Sequence, residues 1–502
     1  MTTFPTCQVC FLFFYKTKQK FVCVSRPRRF GKSMAAEMLA AYYQRGCNSS
    51  ELFKNLKIEK NYLFEKHLNQ YNVIFLNMQD FLSRTNNIEK MKLLLEKSIL
   101  RDILRAYPNI DYLDKTDLIG VLLDVYEEEK IPFIFIIDEW DCIFRENKND
   151  TKFQKLYLDF LRNLLKDKKY VALAYMTGIL PVKKYGTHSA LNMFDEFSMT
   201  NPKQLSEFVG FTEPEVKELC KKYNMDFEET KRWYDGYHFE NLKHIYSPRS
   251  VVSAMLSKSF DSYWNQTETF EALRDYIILN YNGLKDIVIE LLSGSHKKIN
   301  VSKFTNDMTT FDTADDVLTL LIHLGYLGYD YTTQEVFIPN HEIASEFYNA
   351  IESAGWKNVV KAIKQSDGLL KATWNQDAHA VANGIEEVHF ETSILKYNDE
   401  NSLTCVISLA YYSAKAYYTE IRELPTGKGY ADIVYIPLKN HQEKPAMIVE
   451  LKWDKSAKGA ISQIKDKLYI QALEEYKDNL LLVGINYDPK SKIHQCIIEK
   501  FL

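Results

Sequence analysis

The chain has 502 residues, 46% apolar and 26% charged, with a formal net charge of −4 at pH 7. That length exceeds a single core and predicts roughly two to four domains of ordinary globular material. The charge excludes a surface coated in basic residues, so any nucleic-acid contact must come from local patches. No apolar run approaches the ~18 residues of a membrane span, so no membrane contact is expected. Of eight cysteines, only Cys7 and Cys10 form a C-x-x-C, and no second pair completes a zinc site. The scattered thiols suit a reducing cytoplasm. The opening "MTTFPTCQVCFLFFYKTK" has an apolar run but no basic leader region, so no signal peptide is expected.

Four short apolar runs, Phe21–Val24, Val73–Leu76, Phe133–Ile137 and Val171–Tyr175, are rich in branched or aromatic residues and read as buried strands. Between them, stretches such as "NNIEKMKLLLEKSILRDILRAY" repeat at helical spacing. Strands alternating with helices predict a parallel sheet covered on both faces. After about Thr200 the pattern is mostly helical. Thr313–Phe347 then reads helix, strand, polar turn, strand and a helix capped by Asn340, the order of a winged-helix-like module without a basic recognition face. From about Ser366 the order becomes αβββαβ. "NSLTCVISLAYYSA" is the first helix, with strands near Tyr418–Glu423, Ala431–Leu438 and Ala446–Trp453. The helix "AKGAISQIKDKLYIQALEEY" and the strand "NLLLVGINY" follow.

"FVCVSRPRRFGKSMAAEML" joins the first strand to a helix of good formers through Gly31-Lys32-Ser33. A phosphate cradle needs this strand–turn–helix, with backbone N–H groups converging on a helix start. The general P-loop has glycine five positions before Gly31, where this chain has Arg26. Lys32 can reach the β- and γ-phosphates of ATP and Ser33 can ligate Mg²⁺. In "IPFIFIIDEWD", Asp138 would hold that Mg²⁺ through water and Glu139 would polarise the attacking water. Two acids ending an apolar strand also suit a helix cap or a solvated turn. "VALAYMTG" ends near Thr177, a candidate γ-phosphate sensor. Arg26, Arg28 and Arg29 can screen triphosphate charge or simply pair with nearby acids.

Near the C-terminus, Asp432 starts one strand, and Glu450 and Lys452 stand two apart on the next, on one face. In a hairpin the three converge. Two carboxylates can hold Mg²⁺ for phosphodiester cleavage while Lys452 serves the attacking water. A cross-strand ion pair is the plainer use of the same residues.

"SRPRRFGKS", "IIDEWD", "MTGILPVKKYG", "LNMFDEFSM" and "WYDGYHF" together resemble the bacterial AAA-ATPase-like domain, which is usually followed by a PD-(D/E)XK nuclease domain. The resemblance covers nearly the whole chain after about Phe21. It makes R-P-R-R-F-G-K-S the usual form of the loop. It implies Lys32 and Ser33 as the nucleotide site, Asp138 and Glu139 as the metal and water residues, and Thr177 as the sensor; the candidate nucleotide-binding set is the whole loop, Arg26, Pro27, Arg28, Arg29, Phe30, Gly31, Lys32 and Ser33, with Thr177. Gln463 and Tyr469 match the nuclease family's Gln-x(5)-Tyr habit, and Glu400 resembles that fold's additional metal acid. The family's longer lead-in, with a Tyr-Val-Asp-Lys-Thr-like segment, is replaced by a cysteine- and phenylalanine-rich stub, which is compatible with a truncated or misplaced start.

The expected fold class is α/β. A P-loop NTPase parallel sheet (1–200) carries a helical and winged-helix-like region (201–365), and a restriction-endonuclease-like αβββαβ domain (366–502) follows. The expected function is a cytoplasmic ATPase with ATP and Mg²⁺, whose cycle gates a Mg²⁺-dependent nuclease on nucleic acid, DNA first. The alternative is a switch ATPase whose nuclease fold only binds nucleic acid or protein. Whether the chain forms a homo-oligomer stays open.

Overall fold

A computed structural model describes residues 19–501, except 86, 183–190, 240–241, 265–272, 274–276, 278–282, 305–310, 392–399, 427–428 and 468. Side chains at 88, 391, 400–402, 425–426, 429 and 469–472 are also outside the description. The chain divides into two compact units. The first combines Met1–Phe270 with Lys298–Glu346, and the second combines Glu271–Lys297 with Phe347–Leu502.

The first unit is built on β1 (Phe21–Ser25), α1 (Lys32–Tyr43), β2 (Asn72–Asn77), α2 (Met78–Ser83), α3 (Ile88–Ala106) and α4 (Leu118–Glu129). It continues through β3 (Phe133–Asp138), α5 (Cys142–Glu146), α6 (Thr151–Leu165), β4 (Val171–Gly178) and β5 (Asp195–Phe197). All four predicted strands are present. They form a parallel sheet in the order β2-β3-β4-β1-β5. β3 is buried at every position, as its FIFIID sequence requires of a strand covered on both faces. Asn87 and Asp150 cap α3 and α6 by accepting backbone N–H groups.

Beyond the sheet, α7 (Glu213–Tyr223), α8 (Phe227–Tyr234) and α9 (Pro248–Ser257) pack around Phe211, Val216, Tyr234, Tyr246 and Val251. Short strands at Phe211–Thr212, Tyr237–Phe239 and Leu242–Tyr246 interrupt the expected helical stretch with a small antiparallel sheet. The predicted helix–strand–strand–helix follows as α10 (Ala314–Leu324), β6 (Gly328–Asp330), β7 (Glu335–Phe337) and α11 (His341–Ser353). Asn340 Oδ1 accepts from Ile343 N at 3.0 Å, the expected cap.

The second unit contains α12 (Lys357–Trp374), α13 (Ala378–Glu391), α14 (Glu400–Ala410), β8 (Tyr418–Thr426), β9 (Gly429–Pro437), β10 (Ala446–Trp453), α15 (Ala457–Asp466), β11 (Leu480–Asp488) and β12 (Ile493–Lys500). Its mixed sheet runs in chain order from β8 to β12, and only β10 and β11 pair in parallel. Two details differ from the sequence reading. The helix predicted through "KLYIQALEEY" ends at Asp466, and a 3₁₀ stretch with a non-helical break at Leu473 follows. The break lets Leu473 enter the core beside Ile461, Ile464 and Leu482. β12 was not foreseen, because its IHQCIIEK sequence is half-polar and only part-buried at an edge.

α15 lies hard against β11. A Cβ on Gly484 would stand 2.5 Å from Ala457 O and 3.0 Å from Ile461 Cγ1. Gly484→Ala is therefore expected to destabilise the second unit by about 1–3 kcal/mol through overpacking. An unchanged denaturation midpoint would refute that close approach.

Candidate nucleotide and metal sites

The carboxyl ends of β1, β3 and β4 lie side by side, the usual ligand edge of an open parallel sheet. Gly31, at φ 87°, stands at the start of α1, and Arg29 is also left-handed at φ 69°. That backbone makes glycine necessary at the turn into the helix. Lys32 opens the helix, is 4% exposed, and donates to Pro27 O at 2.9 Å. Burial lowers its pKa, while Glu139, Asp141 and Asp138 oppose the shift. Ser33 is exposed and, with Gly31, Lys32, Arg28, Arg29 and Glu139, lines a cavity of about 900 Å³.

Register places Asn77 beside Asp138 and Val24 beside Thr177. Thr177 Oγ1 donates to Asp138 Oδ1, and Glu139 N donates to the same oxygen at 3.1 Å. The predicted acid and the predicted sensor therefore meet. Glu139 has φ 53°, an uncommon left-handed backbone for a side chain of that size. Its Oε2 takes Arg145 Nη2 at 2.5 Å. Burial raises the Glu139 pKa against the pull of Lys32.

Three residues of the expected nucleotide loop turn their side chains elsewhere. Arg26 is fully buried. Its guanidinium donates to Ser25 O at 2.9 Å and Phe197 O at 2.8 Å, and lies 5.1 Å over the Phe239 ring. It fastens the loop to β5, and its side chain is not among those that line the cavity. Phe30 packs edge-on against Tyr237, and Pro27 stands against Gly325. The loop must seal the unit as well as present its backbone, and these side chains do the sealing.

The sequence reading missed several cavity-side residues. Arg249, at the start of α9, joins Arg28 and Arg29 in the lining. Burial lowers the Arg29 pKa, its neighbours Arg249 and Arg28 add to the shift, and Glu342 and Glu346 oppose it. Three arginines and a lysine around one cavity suit a polyphosphate. Asp141, within the quoted "IIDEWD", accepts from Ile179 N and Leu180 N at 3.0 and 2.8 Å. The D-x-x-D spacing was available as a signal. Arg145 and Arg249 belong to no motif: Arg145 comes in through the local geometry of α5 and Arg249 through tertiary folding.

In the second unit, Glu450 is fully buried. Its Oε1 accepts from Lys452 Nζ at 2.9 Å and from Gln463 Nε2. Asp432 Oδ2 accepts from Leu451 N at 2.7 Å. The structure thus gathers Asp432, Glu450, Lys452 and Gln463. Asn486, across the parallel pair from Lys452 and missed earlier, accepts from Lys455 N at 3.0 Å. Glu400 opens α14 and Tyr469 opens the 3₁₀ stretch, but both side chains lie outside the described ones. Among the described residues, no group of three His, Cys, Asp or Glu forms a metal cage. The two carboxylates still fit a hard cation. Glu450 Oε2 is buried without a hydrogen-bond partner, and burial followed by Asp432's like charge raises the Glu450 pKa to about 7.

Residues 11–187 match the family described as predicted AAA-ATPase, and residues 398–496 match the PD-(D/E)XK nuclease superfamily. A protein of Azotobacter chroococcum mcd 1, described as an uncharacterized protein in the vnfD 5' region, is 22% identical over 262 residues. The match covers 51% of this chain and 48% of that protein, so the chain spans about half the length of this relative. Among solved structures, Cdc6p from Pyrobaculum aerophilum has a TM-score of 0.26 at 10% identity, over 70% of this chain and 96% of that one. The Aeropyrum pernix ORC2 protein, in ADPNP-ADP complexes, has a TM-score of 0.30 at 13% identity, over 69% and 91%.

Two outcomes test these geometries. Arg26→Met should destabilise the first unit by roughly 1–3 kcal/mol through its orphaned carbonyl partners while the folded protein keeps its nucleotide affinity. A stable variant that lost nucleotide would return Arg26 to the phosphate site. For Glu450, the folded chain holds a proton up to about pH 7 that the unfolded chain releases near 4.5. Stability of the metal-free second unit should then fall as pH rises from about 4.5 to 7, by of order 3 kcal/mol. Glu450→Gln should flatten that slope in thermal melts across the window.

Proposed function

We propose that this chain, which joins an AAA-ATPase-like domain to a PD-(D/E)XK nuclease superfamily domain, binds and hydrolyses ATP and uses that cycle to gate metal-dependent cleavage of DNA. The observation that carries the nucleotide reading is that Lys32, Ser33 and Glu139 line one cavity together with Arg28, Arg29 and Arg249, while Asp138, next to Glu139 in the chain, is held by Thr177 just behind them. Lys32 exchanges its bond to Pro27 O for phosphate oxygens. Arg28, Arg29 and Arg249 take further phosphate charge, Thr177 orients the γ-phosphate end, and Glu139 accepts the proton of the attacking water. Ser33 and Asp138 are the residues that would hold Mg²⁺, which neutralises charge on the β- and γ-phosphates when bound.

At the second site Asp432 and Glu450 would hold Mg²⁺, which supplies charge neutralisation at the scissile phosphate. Lys452, released from Glu450, orients the attacking water. Gln463 keeps Glu450 aimed at the site. A second reading draws support from the Lys452–Glu450 pair, whose members already satisfy each other at 2.9 Å. In it the unit binds nucleic acid or a protein without cutting. No helix among the described residues is long and apolar enough to cross a membrane. The described cysteines are free thiols, which supports a reducing, cytoplasmic setting.

Lys32→Ala should abolish ATP binding in a folded protein, whereas Glu139→Gln should bind ATP and hydrolyse it about 10²–10⁴-fold more slowly. Unchanged affinity in Lys32→Ala sinks the nucleotide reading. Asp432→Ala or Glu450→Ala should remove Mg²⁺- or Mn²⁺-dependent DNA cleavage and leave ATP hydrolysis intact. Wild type that cuts no single-stranded, duplex or branched DNA and no RNA selects the binding-only reading.

A further inference from the structure

Glu139 stands among acids. Asp138 precedes it, Asp141 follows two positions later, and both are essentially buried, at 1% and 0% exposure. Like charges this close repel and would drive the least buried of the three carboxylates, Glu139, outward. Arg145, one turn further on in α5, fills the gap. Its Nη2 bonds Glu139 Oε2 at 2.5 Å, and its Nε lies 3.4 Å from Asp141 Oδ2. Arg145 is itself 9% exposed, so its reach is fixed by packing.

Asp141 is anchored in turn. Its Oδ2 accepts from the backbone of Ile179 and Leu180, immediately after β4. The approach is close enough that a Cβ on Gly178 would stand 2.7 Å from Asp141 Oδ1 and from the Trp140 ring. The chain of contacts therefore runs from Glu139 through Arg145 and Asp141 to the strand end that also carries Thr177. Thr177 holds Asp138. Asp138 and Glu139 are thus referenced to one strand end by different routes. Among the described residues, Glu139 Oε1 takes no hydrogen bond, which leaves that oxygen for water.

We infer that Arg145 is a positioning residue for ATP hydrolysis: anchored by Asp141, it holds Glu139 by one oxygen so that the other faces the attacking water. The inference rests on the ATP-hydrolysis reading above. Arg145 is not among the residues that line the cavity, whereas Glu139 is, so Arg145 acts through Glu139. A guanidinium suits this bridge, since its rigid fork can serve two carboxylates at once.

The test uses the full chain with radiolabelled Mg²⁺-ATP for turnover and a fluorescent non-hydrolysable ATP analogue for affinity. Arg145→Ala and Arg145→Gln should each lower kcat about 10- to 100-fold, the scale of a misplaced catalytic group, with KM and analogue affinity little changed. Arg145→Gln keeps the first two methylenes of the stem and an amide donor, and so stands in if the alanine variant does not fold. In a Glu139→Gln background, Arg145→Gln should slow turnover no further, because it acts through the missing carboxylate. A multiplicative loss in the double variant, or wild-type kcat in Arg145→Gln, overturns the inference while the ATPase reading stands. Wild type that binds the analogue but hydrolyses no ATP overturns both.

Discussion

A lysine ammonium buried at the carboxyl edge of the parallel sheet is the constraint around which the first unit is arranged. Taking Lys32 out of water costs several kcal/mol unless nearby groups answer its charge. Pro27 O accepts its hydrogen bond, and Glu139, Asp141 and Asp138 supply the opposing field. Those acids then need partners of their own. Thr177 and the Glu139 backbone serve Asp138, Arg145 serves Glu139, and two backbone N–H groups serve Asp141. The strand order β3-β4-β1 makes this mutual arrangement available, because it brings the ends of three non-consecutive segments within hydrogen-bonding reach.

The arginines of the loop divide the labour by direction. Arg26 points inward and ties the loop to β5 and the Leu205 region through carbonyl oxygens. Arg28 and Arg29 stay with the cavity, where Arg249 joins them. Arg29 is further restrained by the Tyr263 carbonyl and by the field of Glu342 and Glu346. Glu342 accepts from Tyr263 N at 2.7 Å, and burial raises its pKa to about 7. The cavity's positive charge is therefore backed by carboxyl groups on α11, so the winged-helix-like module takes part in the electrostatics of the nucleotide edge.

The second unit meets a smaller version of the same problem. Glu450 is buried in an otherwise apolar sheet, between Ile448 and Lys452 on its strand face. Lys452 and Gln463 satisfy one oxygen and leave the other without a partner. A sheet built for stability alone has no need of that orphan, which is costly in a low-dielectric interior. Gly484 matters here indirectly. By letting α15 lie flush on β11, it brings Gln463 within reach of Glu450.

The sequence by itself determined the strands, most helices and the residue types at both sites, because burial on both faces leaves period and composition in plain view. Phe133–Asp138 could be little else than a buried strand ending in acids, and Gly31-Lys32-Ser33 little else than a turn into a helix. Direction was beyond it. Nothing in R-P-R-R-F-G-K-S says that Arg26 turns inward while Arg28 and Arg29 turn out, since that depends on carbonyls at Phe197 and Leu205, more than 170 residues away. Arg249 entered the cavity lining from a helix with no motif of its own. Arg145 met Glu139 through the one-turn geometry of α5 and the anchor at Ile179 and Leu180. The half-polar edge strand β12 and the break at Leu473 were likewise settled by packing. Local pattern records what a residue can do, whereas long-range hydrogen bonds and burial decide which of its faces does it.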